Sequence, residues 1–418
     1  LKTIYLNNLL KDLNVLRTIR NLEKVELGAS NIHDLAPLQD LKNLQAIYFE
    51  STHVENLNML KDLKNIQEID LSRTKVRNLD ILLSFPNLLE LGARDIELDT
   101  FPQYLFELPH LMNLDISGNQ LLDLPYEIVE DSQNCLEHAR HWFADLEQGK
   151  AHNYEVKLIL IGNGRVGKSS LLERLLHDTY TPNRASTHAI QLEQWTYPMQ
   201  LDTDEGKKDV DLMINCWDFG GQDIYHATHR LFMQSRALYL VVWDWQTEQE
   251  KYAKPEEVED EDIFIRNYPL PYWLHYVRTL SKRSPVIMVQ NKVDLDKRKP
   301  VPNRSDMENV YSIQDFCHVS AESGRGIDDL REAIEEAFRT MPELGMEMPL
   351  PWYQVREKIK AIAEAEKDIP YERFIELCDE AEVREISRPS LLRYLHDTDI
   401  LFYRENLFQD RIILDQQW

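Results

Sequence analysis

Residues 162–170 read Gly162-Asn-Gly-Arg-Val-Gly-Lys-Ser-Ser170, set between the apolar run Val156-Lys-Leu-Ile-Leu-Ile161 and the leucine-rich Leu171-Leu-Glu-Arg-Leu-Leu176. The pattern predicts a buried strand, a glycine loop and a helix, the opening unit of a doubly wound α/β sheet. Backbone N–H groups of such a loop point inward at a helix N-terminus, where the helix dipole favours an anion. The spacing G-x-x-x-x-G-K-S is that of a cradle for the phosphates of a nucleoside triphosphate.

Each position has a physical role. Gly162 and Gly167 permit backbone angles and a close approach that a side chain would block. Lys168 is placed to reach the β- and γ-phosphates, and Ser169 to put its hydroxyl on Mg2+. The expected phosphate-binding set is Gly162, Asn163, Gly164, Arg165, Val166, Gly167, Lys168, Ser169 and Ser170.

Downstream, Val286-Ile-Met-Val-Gln-Asn-Lys-Val-Asp294 is an apolar strand ending in Asn291, Lys292 and Asp294. It brings a carboxylate to the C-terminal edge of the sheet, where ligands of doubly wound folds bind. Asp294 can accept hydrogen bonds from guanine N1–H and N2–H2, groups that adenine does not offer. Guanine is therefore the expected base, and an ATP-using enzyme is disfavoured. Between the two motifs, Cys216-Trp-Asp-Phe-Gly-Gly-Gln222 closes another apolar strand, Leu212-Met-Ile-Asn-Cys-Trp217. Asp218 is expected to hold Mg2+ through water, Gly221 to offer its N–H to the γ-phosphate and Gln222 to orient the attacking water. Thr187, 19 positions after Lys168, is placed to give Mg2+ a second hydroxyl, and the backbone of Ser320 and Ala321 to meet guanine O6.

In this order the motifs of residues 154–340 resemble a Ras-type small GTPase domain. The resemblance departs at Glu322, where the superfamily usually carries lysine, and at Arg165, where Ras itself carries glycine. It implies GTP and GDP as ligands with Mg2+, held by Ser169, Thr187 and Asp218. It also implies attack of an in-line water on the γ-phosphate, with Lys168, Thr187 and Gln222 as catalytic residues. Arg184, three residues before Thr187, resembles in placement the arginine that heterotrimeric Gα subunits supply in cis. Without such an arginine the intrinsic rate is expected to be slow.

Before this domain, Leu22, Leu44, Ile66, Leu88 and Leu111 recur at spacings of 22, 22, 22 and 23, with Val25, Ile47, Ile69, Leu91 and Leu114 beside them. Leu27, Phe49, Leu71 and Ile116 complete an L-x-x-L-x-L signature, the mark of an α/β leucine-rich-repeat solenoid. Ser30, Thr52, Thr74 and Asn119 fall where a polar side chain can satisfy the buried turn of each unit. Glu26, Tyr48, Asp70 and Asp115 are the expected concave positions, mostly acidic, and a protein ligand is expected there. Leu136, Ala139, Phe143 and Leu146 have helical spacing, predicting a helix that bridges repeats and GTPase and ends at Gly149.

Beyond the GTPase, a Pro- and Met-rich stretch to Pro351 reads as a linker. Three helical segments follow, near 352–366, 371–380 and 388–396, and then the alternating pair Ile400-Leu-Phe-Tyr-Arg404 and Arg411-Ile-Ile-Leu414, which suggests a hairpin. Helices followed by such a pair resemble a winged-helix unit of α+β class. Leucine-rich repeats, a Ras-like domain and this unit, in that order, resemble the Roco family, whose C-terminal module is called COR; no kinase segment lies within these residues. The resemblance implies homodimerisation through COR in a full-length chain. The opening Leu1, already inside the repeat pattern, and the tail at Trp418 read as those of an incomplete chain. The expected divisions are 1–129 repeats, 130–150 linker helix, 151–341 GTPase, 342–351 linker and 352–418 the N-terminal part of COR.

Composition narrows the alternatives. A chain of 418 residues with 43% apolar content has room for several cores. A net charge of −25 argues against nucleic acid, since phosphate contacts need a basic surface. The apolar runs are of strand length, so no membrane span is expected. Cys135, Cys216, Cys317 and Cys378 lack metal-ligand spacing and read as reduced thiols of a cytoplasmic protein. The acidic run Glu256–Asp262 reads as a solvated loop, and Trp243 and Trp245 as packing residues. The competing reading is a repeat scaffold that binds a protein ligand and carries an inactive G domain.

Overall fold

The computed structural model describes residues 2–6, 13–129, 134–182, 184, 190–203, 206–220, 237–253, 265–281, 284–296, 298–301, 304–311, 313–403 and 411–414. The 22-residue period lays down a parallel sheet of six strands in chain order: β1 (Thr3–Tyr5), β2 (Lys24–Glu26), β3 (Ala46–Tyr48), β4 (Glu68–Asp70), β5 (Glu90–Gly92) and β6 (Asn113–Asp115). Three-residue strands cannot bury a face alone, and stacking supplies the core. Val25, Ile47, Ile69, Leu91 and Leu114 pair with one another in register and are buried. Single 3-10 turns such as Ala36–Leu38 and Asn58–Leu60 close the other side.

The polar turn positions do what their spacing predicts. Ser30, Thr52 and Thr74 donate their hydroxyls to the carbonyls of Leu27, Phe49 and Leu71 at 2.6, 2.8 and 2.7 Å. The next unit has Ile96 at this place. Asn119 serves both its own turn and that neighbour: its amide donates to Ile116 at 2.7 Å and to Ala93 at 2.9 Å, and its oxygen accepts from the N–H groups of Ile96 and Leu98.

After α1 (Tyr126–Val129) comes α2 (Leu136–Leu146). Its buried face includes Trp142 and Asp145, besides the expected Leu136 and Ala139. It stands in the chain between the repeats and the GTPase, as its place in the sequence predicts, and also packs on the C-terminal module. The Trp142 ring lies edge-on to Trp352 at 5.3 Å and near Tyr394 at 5.7 Å. Asp145, fully buried, accepts the Trp352 indole N–H at 2.8 Å and pairs with Arg384. The stacked units, α2 and the C-terminal module thus share one continuous apolar core.

The chain then passes through β7 (Lys150–His152) into the central domain, whose elements are β8 (Glu155–Ile161), α3 (Lys168–His177), β9 (Ile190–Thr203), β10 (Gly206–Phe219), β11 (Leu238–Trp243), α4 (Trp245–Gln249), β12 (Tyr252–Ala253), β13 (Ile265–Arg266), α5 (Leu270–Leu280), β14 (Val286–Gln290), α6 (Val293–Asp296), α7 (Arg304–Val310), β15 (Ile313–His318) and α8 (Ile327–Arg339). The sheet runs β15-β14-β11-β8-β10-β9, with every pair parallel except β10 with β9. Its faces are covered by separate apolar cores, one under α3 and α8, the other under α5. β8 lies inside the sheet between β10 and β11, where the strand order reverses and a doubly wound sheet opens its ligand crevice.

The stretch 342–351, read as a linker, carries β16 (Glu347–Pro349), antiparallel to β7, and the first turn of α9 (Leu350–Ala363). β17 (Asp368–Pro370), α10 (Tyr371–Glu380), α11 (Arg388–Asp397) and β18 (Arg411–Ile413) complete the module. Of the expected hairpin of 400–404 with 411–414, the described residues show the antiparallel bridge of Phe402 with Ile413, residue 404 lying outside them, and β18 also pairs along its length with β17. Ile369 and Ile412 face each other in that ladder and are both buried, and Arg411 pairs with Asp368.

All four cysteines are buried and free, and burial pushes the thiols of Cys135, Cys317 and Cys378 up to about 12. Among the described residues, no helix is long and apolar enough to cross a membrane.

Candidate functional site

β8 ends at Ile161 and α3 begins at Lys168, so residues 162–167 form the loop the sequence predicts. Gly162 has φ 141° and Gly167 φ 87°, angles that favour glycine. A Cβ on Gly162 would stand 2.0 Å from the Val242 carbonyl oxygen, and one on Gly167 2.6 Å from the Asn291 amide. Arg165, the position without the usual glycine, also adopts a left-handed conformation at φ 69°. Val166 is buried in the core beneath, and Ser170 lies half-buried in the first turn of α3.

Lys168 is buried, and its ammonium donates to the carbonyls of Gly162 and Asn163 at 3.0 and 2.8 Å. Burial pushes its pKa down to about 8, partly offset by Asp218. Asp218, at the end of β10, is fully buried and accepts the Ser169 hydroxyl. A buried ammonium at a helix N-terminus, in a cradle that a Cβ would fill, suits a phosphate. The Ser169–Asp218 pair, a hydroxyl beside a carboxylate, suits a hard cation such as Mg2+.

The base motif is tied into the same loop. Asn291 donates its amide to the Val166 carbonyl at 2.9 Å and accepts the Ala321 N–H at 3.1 Å. Lys292 donates to the Arg165 carbonyl at 2.6 Å and pairs with the buried Asp244 at 2.8 Å. Asp294 is exposed, at the second position of α6. Ser320 is buried, and its hydroxyl accepts the Ser323 N–H at 3.1 Å. The Ala321 N–H, expected at guanine O6, is here directed at Asn291.

Asn163 keeps its backbone in the loop, its carbonyl accepting from Lys168. Its side chain is turned away from the phosphate space: the oxygen accepts the N–H of Tyr268 at 2.8 Å and the Trp273 indole N–H at 3.2 Å, and the amide donates to the Tyr268 carbonyl at 2.8 Å. A polar side chain buried this deeply must find partners, and the loop itself has none to spare for it. Arg184 lies against α3, with its guanidinium 3.2 Å from Glu173 and 3.3 Å from the Ser169 carbonyl. Thr187, Gly221, Gln222 and the acidic run 256–262 lie outside the described residues. Asp244, Tyr268, Trp273 and Arg174, which donates to the Ala321 and Glu322 carbonyls at 2.8 and 2.9 Å, carry no motif by which the sequence could mark them.

The comparisons agree with this geometry. The family model described as "Ras of Complex, Roc, domain of DAPkinase" matches residues 157–294, and that described as "C-terminal of Roc, COR-A domain" matches 349–418. The chain is similar to the probable serine/threonine-protein kinase pats1 of Dictyostelium discoideum, 28% identical over 74% of this chain and 10% of that protein. It is likewise similar to a Roc-COR-CHAT protease of Runella zeae, 26% identical over 75% of this chain and 34% of that one. The chain thus spans about a tenth of the first of these relatives and about a third of the second. Mouse Rab-like protein 2A is 30% identical over 45% of this chain and 73% of its own length. A solved structure of Methanosarcina barkeri Roco2 RocCORdC bound to GDP matches with TM-score 0.51 and 28% identity, covering 64% of this chain and 74% of that one. The phosphate loop on its inner strand, the base motif bound back to it and the helical module after α8 are therefore those of a Roc domain followed by COR-A, and the chain belongs to the Roco family.

Proposed function

We propose that the chain is a guanine-nucleotide switch: it binds GTP and GDP with Mg2+ and hydrolyses GTP slowly. The observation that carries this reading is Lys168, a buried ammonium whose desolvation a phosphate would offset, at the head of a loop held in shape by Asn291 and Lys292. Asp294 would select guanine by accepting from N1–H and N2–H2. Ser169, Thr187 and Asp218 would hold Mg2+, whose charge would neutralise the phosphate oxygens. Lys168 would stabilise charge on the leaving side, Gly221 would donate its N–H to the γ-phosphate and Gln222 would orient water. Arg184 would act as the cis arginine only after leaving Glu173. The stacked N-terminal units would form a leucine-rich-repeat ligand surface, and the divisions read from the sequence would be the working domains. Nucleotide state would alter how repeats and COR dock on the GTPase and would control dimerisation through COR in a full-length chain.

A titration with fluorescent GDP, followed by unlabelled GTP or ATP as competitor, tests the proposal. Saturable binding displaced by GTP and not by ATP is expected. Absence of binding would leave the scaffold reading, in which the repeats bind a protein and the G domain is inert.

A further inference from the structure

The segment from Asp244 to Trp273 leaves the sheet after β11 and returns as α5; its returning end is bonded to the phosphate loop directly and its outgoing end through Lys292. At the outgoing end, Asp244 holds Lys292, whose ammonium also donates to the Arg165 carbonyl. At the returning end, Asn163 fills the place of a strand residue beside Tyr268 and takes the Trp273 indole N–H as well. The ends are also joined to each other. β12 pairs with β13, Asn267 donates to the Glu250 carbonyl at 2.7 Å, and the Leu270 N–H at the start of α5 donates to Glu248. Gly164 is thus bracketed by Asn163, bonded directly to the returning end, and Arg165, joined to the outgoing end through Lys292.

We infer that the base of this excursion, through Asn163 with Tyr268 and Trp273, is a positioning clamp that sets the phosphate-loop backbone and thereby the rate of nucleotide release. Asn163 and Trp273 are positioning residues here. They act on the bound phosphates through the carbonyl and N–H directions of residues 162–165, because an amide bonded on both edges cannot rotate without breaking three hydrogen bonds, one buried and two part-buried. Opening the clamp would let the loop relax and the nucleotide leave, while the groups that face the γ-phosphate stay as they were. The inference rests on the guanine-nucleotide reading above.

Release of fluorescent GDP into excess unlabelled GDP tests it, on the whole chain with its melting temperature recorded alongside. Trp273→Phe keeps the ring in the core and removes one donor. It should speed release about threefold, and Asn163→Ala about tenfold or more, the scale of lost buried hydrogen bonds. In the double variant Trp273→Phe should add little, because the bond it removes is already gone. Single-turnover GTP hydrolysis by Trp273→Phe should match wild type, a separation that general loosening of the core would not produce. Should Asn163→Ala fail to fold, Trp273→Phe carries the test alone. Tight binding by wild type with unchanged release in folded Trp273→Phe, or effects that simply multiply in the double variant, would overturn the clamp alone. Wild type that binds no guanine nucleotide would overturn the reading beneath it.

Discussion

The ammonium of Lys157 lies 4.1 Å from the centre of the Trp217 ring, and Trp217 directly precedes Asp218. Lys157 stands on β8, the strand that leads into the phosphate loop, and its carboxylate partner is Asp399 of the COR-A module. Two residues earlier, Glu155 is held by Arg356 and Lys360 of α9. A cleft of about 680 Å³ opens around these contacts, lined also by Trp142 and Tyr394. The COR-A module therefore grips β8, the strand that leads into the phosphate loop, and Lys157 of that strand in turn covers Trp217 beside Asp218.

Burial pushes the Lys157 pKa down, and Asp399 opposes that shift. Asp399→Asn leaves the ammonium buried without its carboxylate and should cost about 3 kcal/mol. Denaturant unfolding followed by tryptophan emission checks this. Lys157→Met combined with Asp399→Leu should recover most of the loss, since neither charge then remains to be desolvated.

Lys168 has its pKa lowered to about 8 from 10.5 in the protein without nucleotide. A bound phosphate favours the charged form and raises that value, so at pH 9 the complex holds a proton that the free protein has lost. GDP binding should take up protons at pH 9, and affinity should fall as pH rises above 8. Calorimetric titration in buffers of different ionisation heat measures the uptake. Lys168→Met should abolish it, along with most of the affinity.

His138 and His141 of α2 bring their Nδ1 atoms to 2.7 and 2.8 Å from the Ser390 hydroxyl of α11. Both pKa values are lowered from 6.5, first by burial; Arg393 lowers that of His138 further and Arg384 that of His141, while Glu137 opposes both and Asp145 the latter. The folded form thus holds fewer protons than the unfolded one, so the stability these residues contribute is full above pH 6.5 and is lost as pH falls below it. The chain should melt at a lower temperature at pH 5.5 than at pH 7.5. His138→Gln with His141→Gln should flatten part of that dependence.

Asn119 satisfies four backbone groups, whereas Ser30 satisfies one. Asn119→Ala should therefore cost several times as much as Ser30→Ala, about 3 kcal/mol against about 1 kcal/mol. Parallel denaturant titrations of the two variants decide it.

The loop at 162–169, the base motif at 291–294 and the 22-residue period were legible because each is local: a strand, a turn and a helix start are set by neighbouring residues. The phosphate cradle, the sheet that holds it and the stacked units follow from that reading. Three features required the folded molecule. Asn163 sits in a phosphate-loop motif, yet its amide is claimed by Tyr268 and Trp273, more than a hundred residues away in the chain. Arg411–Ile413 has the alternation of a hairpin arm and meets Phe402 at Ile413, but its ladder with Asp368–Pro370, where Ile369 and Ile412 bury together, has no signal in the sequence. Helix Leu136–Leu146 shows an apolar stripe that does not say what covers it, and Trp352, more than two hundred residues on, supplies the answer by packing on Trp142 and bonding Asp145. Spacing along the chain specifies which residues share a turn or a face. Which surface meets that face is decided by burial and hydrogen-bond satisfaction across distant segments, and that is a property of the whole fold.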